Sequence, residues 1–338
     1  MGKKLSSILA KGKQNFIIIV ALAVLVLIFW GLNPNFLNKF NIVSMAQSLA
    51  PYAIMGLGVT FVIATGGIDL SIGTTCIASA VIAGKLHTDA GMPLGYTIPV
   101  MIAIGTLIGL INGLLVAKLK IPAFIATLGT MMFGRGLSAL IVAVPNIFFP
   151  SGTWFNKVFS NYNGVPVGLF WVILFAIICM YLMYKCKIGR YILSIGSNEE
   201  ATRLSGINTD KFKIIAYVIA GMSTGIAAIF WAASFPTVAA ATGNGMELDA
   251  IAGVYIGGTS AAGGVASIAG SVIGNIMLVV IRSGLNFVLA RFNLNLNSTY
   301  VTYVLTGIIV VVAVLMDVIK NKNAAKVKVD KKKKQVKQ

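Results

Sequence analysis

Long apolar blocks run along this chain, separated by short clusters of glycine, proline, asparagine and charge. Blocks near the length that crosses a bilayer, about 20 residues, recur over 15–32, 46–65, 68–84, 96–117, 122–144, 169–184, 214–235, 249–262, 266–290 and 299–317. The pattern predicts an all-α polytopic membrane protein with about ten transmembrane helices, some of them broken or re-entrant. Residues 1–14 form a basic arm, 15–318 the transmembrane domain, 185–213 a polar loop within it, and 319–338 a lysine-rich tail expected to be disordered. The first block, Phe16–Trp30, follows Lys3, Lys4, Lys11 and Lys13 as a secretory signal would. Trp30-Gly31-Leu32-Asn33-Pro34 comes next in place of a small-x-small cleavage pattern, so the block is read as a retained first span.

Two stretches fit badly as plain helix. One is Gly66, Gly67, Asp69 and Ser71 within Thr65–Gly73; the other is Gly257, Gly258 and Thr259 within Gly257–Gly264. Paired glycines weaken a helix and let backbones approach closely. Irregular backbone at membrane depth survives where protein or a water-filled cavity surrounds it, and broken helices of this kind line transport pathways. Close helix packing through small residues is the competing explanation. Both stay open from the residues alone.

Charge then orients the chain. The sequence is 57% hydrophobic and 11% charged, with a mean hydropathy of +0.90, which excludes an ordinary soluble domain. Four basic residues lie in the N-terminal arm, two at Lys118 and Lys120, six in 185–213 and nine after 319. Excess Lys and Arg marks cytoplasmic segments, so both termini are expected in the cytoplasm of a multi-pass cell-membrane protein. Lys39, Lys85, Lys157, Arg282 and Arg291 then fall at or near the outer face, and Arg135 alone lies within a span. Trp30, Trp171 and Trp231 come near outer span ends and Trp154 in the outer loop 145–168, where interfacial aromatics belong. The net charge of +18 does not point to nucleic acid, because the tail Lys326–Lys337 has no interleaved aromatics. An anionic lipid leaflet is its expected neighbour, at about 1 kcal/mol per lysine.

A polar island, Gly196 to Ile207, interrupts the apolar pattern. Ser197 followed by Glu200 reads as a capping box, and Gly206 supplies a left-handed helix end. The result is a short helix of roughly eight residues, about 12 Å long. So short a helix needs something to pack against. A docking element and a plain amphipathic connector are equal alternatives on spacing alone.

Chemistry is sparse. Cys76, Cys179 and Cys186 lack metal-ligand spacing, and His87 is the only histidine, so neither a metal site nor a cofactor is expected. No Gly-x-x-x-x-Gly-Lys-Ser/Thr phosphate cradle occurs. Asp69 and Asp249 raise an intramembrane aspartyl enzyme, but their surroundings are small and structural, and no catalytic residue is assigned. A charge at mid-bilayer costs on the order of 3 kcal/mol, so Asp69 needs a partner. It is expected to cap the helix after Gly67 by accepting from the N–H of Ser71 or Ile72, with a pairing to Arg135 as the alternative.

Four segments resemble a known family. Gly66–Gly73 (GGIDLSIG), Pro122–Thr130 (PAFIATLGT), Gly189–Asn208 (GRYILSIGSNEEATRLSGIN) and Glu247–Gly264 (ELDAIAGVYIGGTSAAGG) are similar to the ribose-type ABC importer permeases, in order and over about residues 16–318. The resemblance implies a permease for a simple sugar, a ribose-like pentose or related monosaccharide. It would work with a second permease subunit, often identical, a cytoplasmic ABC ATPase and an extracytoplasmic sugar-binding protein. It implies that Ser197, Asn198, Glu199, Glu200, Ala201, Arg203, Leu204 and Gly206 form the ATPase-coupling helix. There Ser197 and Glu200 cap, Ala201 and Leu204 enter a cleft, and Arg203 meets an acid. With the breaks, Phe124, Thr127, Arg135, Glu247 and Asp249 are the candidate pathway residues. Relatives for nucleosides or a signalling furanone keep these motifs, so the substrate stays open. An ion-coupled secondary transporter is the competing class, with Asp69, Glu247 and Asp249 as its only relay candidates.

Overall fold

The computed structural model describes residues 2–141, 146–235, 237–239, 243–292 and 300–308, with single positions at 311, 312, 314, 315 and 319; for residues 2–14 only the backbone is described. The lysine-rich tail past 319, the end of the fifth apolar block and much of the tenth lie outside them. Every apolar block contains a helix, but the helices are unequal. In chain order they are α1 (Gly2–Leu32), α2 (Lys39–Ala64), α3 (Ile72–Thr88), α4 (Leu94–Ala117), α5 (Ala123–Ile141), the short α6 (Trp154–Phe159), α7 (Gly168–Tyr184), α8 (Lys187–Ser197), α9 (Glu199–Leu204), α10 (Thr209–Ser234), α11 (Met246–Ile256) and α12 (Ile268–Arg291). Residues 300–308 are helical as well. Among the described residues six helices are long and apolar enough to cross a bilayer alone, and α7 with α8, bent by 66°, forms a seventh, broken unit. The block expected over 249–262 shrinks to the eleven residues of α11, and the block at 68–84 begins only at Ile72. Glycine-rich backbone from Gly257 occupies the difference after α11, and the non-helical Ile68–Ser71, just after Gly66 and Gly67, occupies it before α3.

α2 and α10 form the centre of the bundle, and α2 is buried from Leu49 to Ala64. What lets α10 lie against α4 is a seam of small residues. Gly105, Gly109 and Gly113 recur every fourth position on α4 and face Tyr217, Gly221 and Gly225 of α10, where an added Cβ would strike backbone. Without a hydrophobic force between helices in lipid, such close backbone approach carries the packing. α1 lies outside, showing Phe16, Val24, Leu27 and Trp30 to the surroundings.

The two ends of the bundle are closed differently. At one end the two-residue strands β1 (Ile147–Phe148) and β2 (Thr237–Val238) pair antiparallel, and Asn156 of α6 donates to Ala233 O at 2.9 Å. At the other end α8 and α9 emerge, and Lys120 Nζ meets Asp210 Oδ1 at 2.6 Å. Trp231 lies three residues before the end of α10. It is buried, edge-on to Tyr52 with centroids 6.3 Å apart and tilted on Phe235 at 4.5 Å. Arg282 lies within α12, its guanidinium turned to Asp249 of α11.

Candidate functional site

The polar island folds into two short helices. α8 is amphipathic, burying Gly189, Ile192 and Ile195 against the bundle. Asn198 then interrupts it in extended backbone, and its Oδ1 accepts from Ala201 N at 2.9 Å. The cap of α9 is therefore Asn198, not the expected Ser197–Glu200 box. Ser197 is the last residue of α8, and its Oγ donates back to Leu193 O at 3.0 Å. One residue of offset decides this, since the extended residue between two helices must itself be the cap. α9 is six residues long rather than eight, and Gly206, at φ +81°, ends it as expected. Glu199 is tied to α10 by Lys213 Nζ at 2.6 Å, and Thr202 is the side chain of α9 that turns inward. Glu200, Ala201 and Arg203 point outward, and Leu204 is 83% exposed. An open groove of about 400 Å³ runs beside them, between Leu193, Ser197, Asn198, Ala201 and Ile207.

This segment touches the breaks through backbone. A Cβ on Gly196 would collide with Ala64 O and Gly264 N, and those two groups are joined by a 3.0 Å hydrogen bond. One on Gly263 would lie 2.7 Å from Gly66 N and 3.0 Å from Gly196 Cα. The break after α2, the break after α11 and the end of α8 therefore meet at one point. Gly66 and Gly258 take left-handed backbone, at φ +82° and +86°. Gly257 presses against Gly270 of α12, Gly67 approaches the Tyr217 hydroxyl, and Thr259 Oγ1 accepts from Ser267 N at 3.1 Å.

Asp69 is buried, and among the described residues it has no basic partner. Its Oδ1 accepts from Ser71 N at 2.9 Å and Ser71 Oγ at 2.6 Å; the Ser71 N–H is the expected partner, but the N-cap of α3 is Ser71 itself, so Asp69 closes the turn ahead of the helix and does not cap it. Asn112 of α4 then donates to Ser71 Oγ at 2.8 Å, and Thr130 of α5 donates to Asn112 Oδ1 at 2.8 Å. The network ties the first break to α4 and α5. Because Asp69 acts as an acceptor, Asp69→Asn should hold the fold, whereas Asp69→Leu strands the Ser71 N–H and hydroxyl at about 1–3 kcal/mol each. Thermal unfolding of the purified variants checks this, and equal loss in both would show that the charge itself is required.

Arg135 does not pair with Asp69. Its Nη2 lies 3.5 Å from Glu247 Oε1. Two residues on, Asp249 accepts from Arg282 of α12, whose other arm donates to the Tyr52 hydroxyl at 2.8 Å. The first turn of α11 thus sends its two acids to two different helices. Thr127 is buried and bonds its own helix at Ala123 O, while Phe124 stands on the open face of α5. A cavity of about 200 Å³ adjoins the second pair, with Asn41, Ser48, Tyr52, Trp231, Arg282 and Asn286 among its lining.

Sequence reasoning missed Asn112, Tyr217, Tyr52, Arg282 and Gly196. An asparagine inside the apolar run of α4 was a usable signal, because a buried amide demands partners. Nothing in the sequence marked Tyr52 or Gly196, whose roles depend on which helix lies opposite.

Residues 41–314 match the family described as branched-chain amino acid transport system / permease component. The chain is 35% identical over 307 residues to the ribose import permease protein RbsC of Escherichia coli (strain K12), covering 88% of this chain and 92% of that one. It is 36% identical over 302 residues to RbsC of Bacillus subtilis (strain 168), covering 88% and 91%. The xylose transport system permease protein XylH of Escherichia coli (strain K12) is 28% identical over 366 residues, covering 90% and 91%. No solved structure matches the chain. With ten helical blocks, two glycine-rich breaks and a match over most of its length, the chain belongs to this family of multi-pass membrane permease components.

Proposed function

We propose that this chain is the membrane-spanning, non-catalytic subunit of an ATP-driven importer and passes a simple sugar, a ribose-like pentose or a related monosaccharide. Its kinship with ribose and xylose permeases over nearly its whole length carries this reading. A cytoplasmic ABC ATPase hydrolyses the nucleotide, an extracytoplasmic binding protein delivers the sugar, and a second copy of the permease completes the pathway. Both termini and the 185–213 loop face the cytoplasm, in line with the concentration of basic residues there. Residues 197–206 dock on the ATPase, and the exposed Leu204 beside an open groove supports that assignment.

The contact of Gly196 with both breaks supports a mechanical reading. Movement of the docked segment reaches the glycine-rich backbone at 64–66 and 262–264 without an intervening flexible side chain. Closing the ATPase would shift the spans by making different contacts in its two states. The breaks, Arg135, Glu247 and the open face of α5 around Phe124 border the route.

Reconstitution tests the proposal. Liposomes holding the permease, its ATPase and its binding protein should take up ribose or xylose only when ATP is supplied. The face needing ATP should be the one on which a membrane-impermeant thiol reagent labels Cys186. Uptake of leucine in place of either sugar would overturn the substrate class. Transport by this chain alone, driven by a proton or sodium gradient, would overturn the mechanism.

A further inference from the structure

We propose that Thr74, Arg135 and Glu247 form a contact site for hydroxyl groups of the permeating sugar, at the junction of α3, α5 and α11. This rests on the sugar-importer reading above.

Unsatisfied polar atoms gather at this junction. Among the described residues four buried side-chain polar atoms lack a hydrogen-bond partner, and three of them are Thr74 Oγ1, Arg135 Nε and Glu247 Oε2. Buried polar groups are nearly always paired, so three orphans in one neighbourhood need a reason. Thr74 is 4% exposed and Glu247 is 5% exposed. They belong together spatially. An added Cβ on Gly73 would strike Glu247 Oε2, and one on Gly134 would lie 3.0 Å from Thr74 Cγ2. Arg135 follows Gly134 and reaches Glu247 Oε1 through Nη2.

Two helices also begin here. α3 starts at Ile72 and α11 at Met246, and the first turns press together, since a Cβ on Gly73 would lie 2.8 Å from Glu247 N and 3.1 Å from Gly243 O. The positive ends of the two helices and the guanidinium repel a cation. The carboxylate repels an anion. What fits is a neutral group that donates to Glu247 Oε2, accepts from Arg135 Nε and does either at Thr74 Oγ1. Hydroxyl groups do this, whether of a sugar or of water. The junction has a way out, because the Arg135 side chain is 33% exposed and neighbours Met132 and Phe133 on the open face of α5. A few such contacts match a route that must release what it passes. A site of this kind recognises hydroxyl positions and tolerates an apolar flank.

Thr74→Val separates a sugar contact from a structural role. Valine keeps the shape and removes a hydroxyl that has no partner among the described residues, so the variant should melt at or above the wild-type temperature. Uptake of D-ribose and of each of its monodeoxy analogues is measured in liposomes with the complete importer and one binding protein. That binding protein's own preference cancels when variant and wild type are compared. Ribose uptake should fall roughly fivefold, while one analogue, transported slowly by the wild type, should fall less than twofold. The discrimination between them then collapses. Equal loss for all sugars, no loss for any, no discrimination in the wild type, or a fall in melting temperature would each overturn the site, resident water included. A wild-type importer that moves no sugar at all would instead defeat the sugar reading on which the proposal rests.

Discussion

Leu204→Asp should leave this protein folded and inserted while abolishing its association with the ATPase. The side chain is 83% exposed at the end of a six-residue helix, so neither residue has partners to lose within the chain itself. The difference arises on docking. A carboxylate carried into an apolar cleft without a partner costs about 3 kcal/mol or more, which is on the order of a hundredfold in affinity. Co-purification of the ATPase should therefore fail, with uptake lost and melting temperature unchanged. Asn198→Ala is the milder companion, because it removes the cap on Ala201 N and no docking contact, costing about 1 kcal/mol. Ser197→Ala should be nearly silent, since Ser197 bonds only its own helix. Full association and uptake by Leu204→Asp would make the segment an ordinary connector.

Arg282→Met should be the most damaging single change to stability. Arg282 joins Asp249 of α11 to Tyr52 of α2, and among the described residues Asp249 is otherwise held by Thr306 Oγ1 at 3.4 Å. Removing the base leaves a buried carboxylate uncompensated, at about 3–5 kcal/mol. Arg282 is one-third exposed, which places the effect at the lower end. A midpoint lower by roughly 5 °C or more follows. Asp249→Leu combined with Arg282→Met should recover most of that loss, because the cost lies in the stranded charge and not in the missing attraction. A double variant that melts as low as the single one would show that the pair itself, and not its desolvation, holds α11 in place.

Much of this architecture is legible along the chain because each apolar block is long enough to declare itself without a partner. The ten blocks, the basic loop and the two glycine-rich breaks follow from local composition. So does the short helix ended by Gly206, since a left-handed residue after an acidic turn is a local signal. The cap slipped by one residue because Ser197 and Asn198 are equally good caps in isolation. Only the point where α8 stops distinguishes them.

The charged residues show the limit more sharply. Composition alone shows that Asp69, Arg135, Glu247 and Asp249 are out of place in apolar surroundings, since a lone charge in a membrane is costly wherever it lies. It does not show their partners. Arg135 could meet either acid at similar depth, and the structure pairs it with Glu247 because the first turns of α3 and α11 touch. Arg282 and Tyr52 lie 230 residues apart, and they meet because α2 and α12 pack side by side. The sequence by itself determined the membrane class, the broken spans and the short polar helix within 196–207, all of which rest on one stretch of chain at a time. Tertiary structure alone decided the ion pairs, the convergence of Gly196 with Gly66 and Gly263, and the buried orphans at Thr74 and Glu247. Those depend on which helices face each other, and lipid-embedded faces of near-equal apolarity carry no one-dimensional record of that choice.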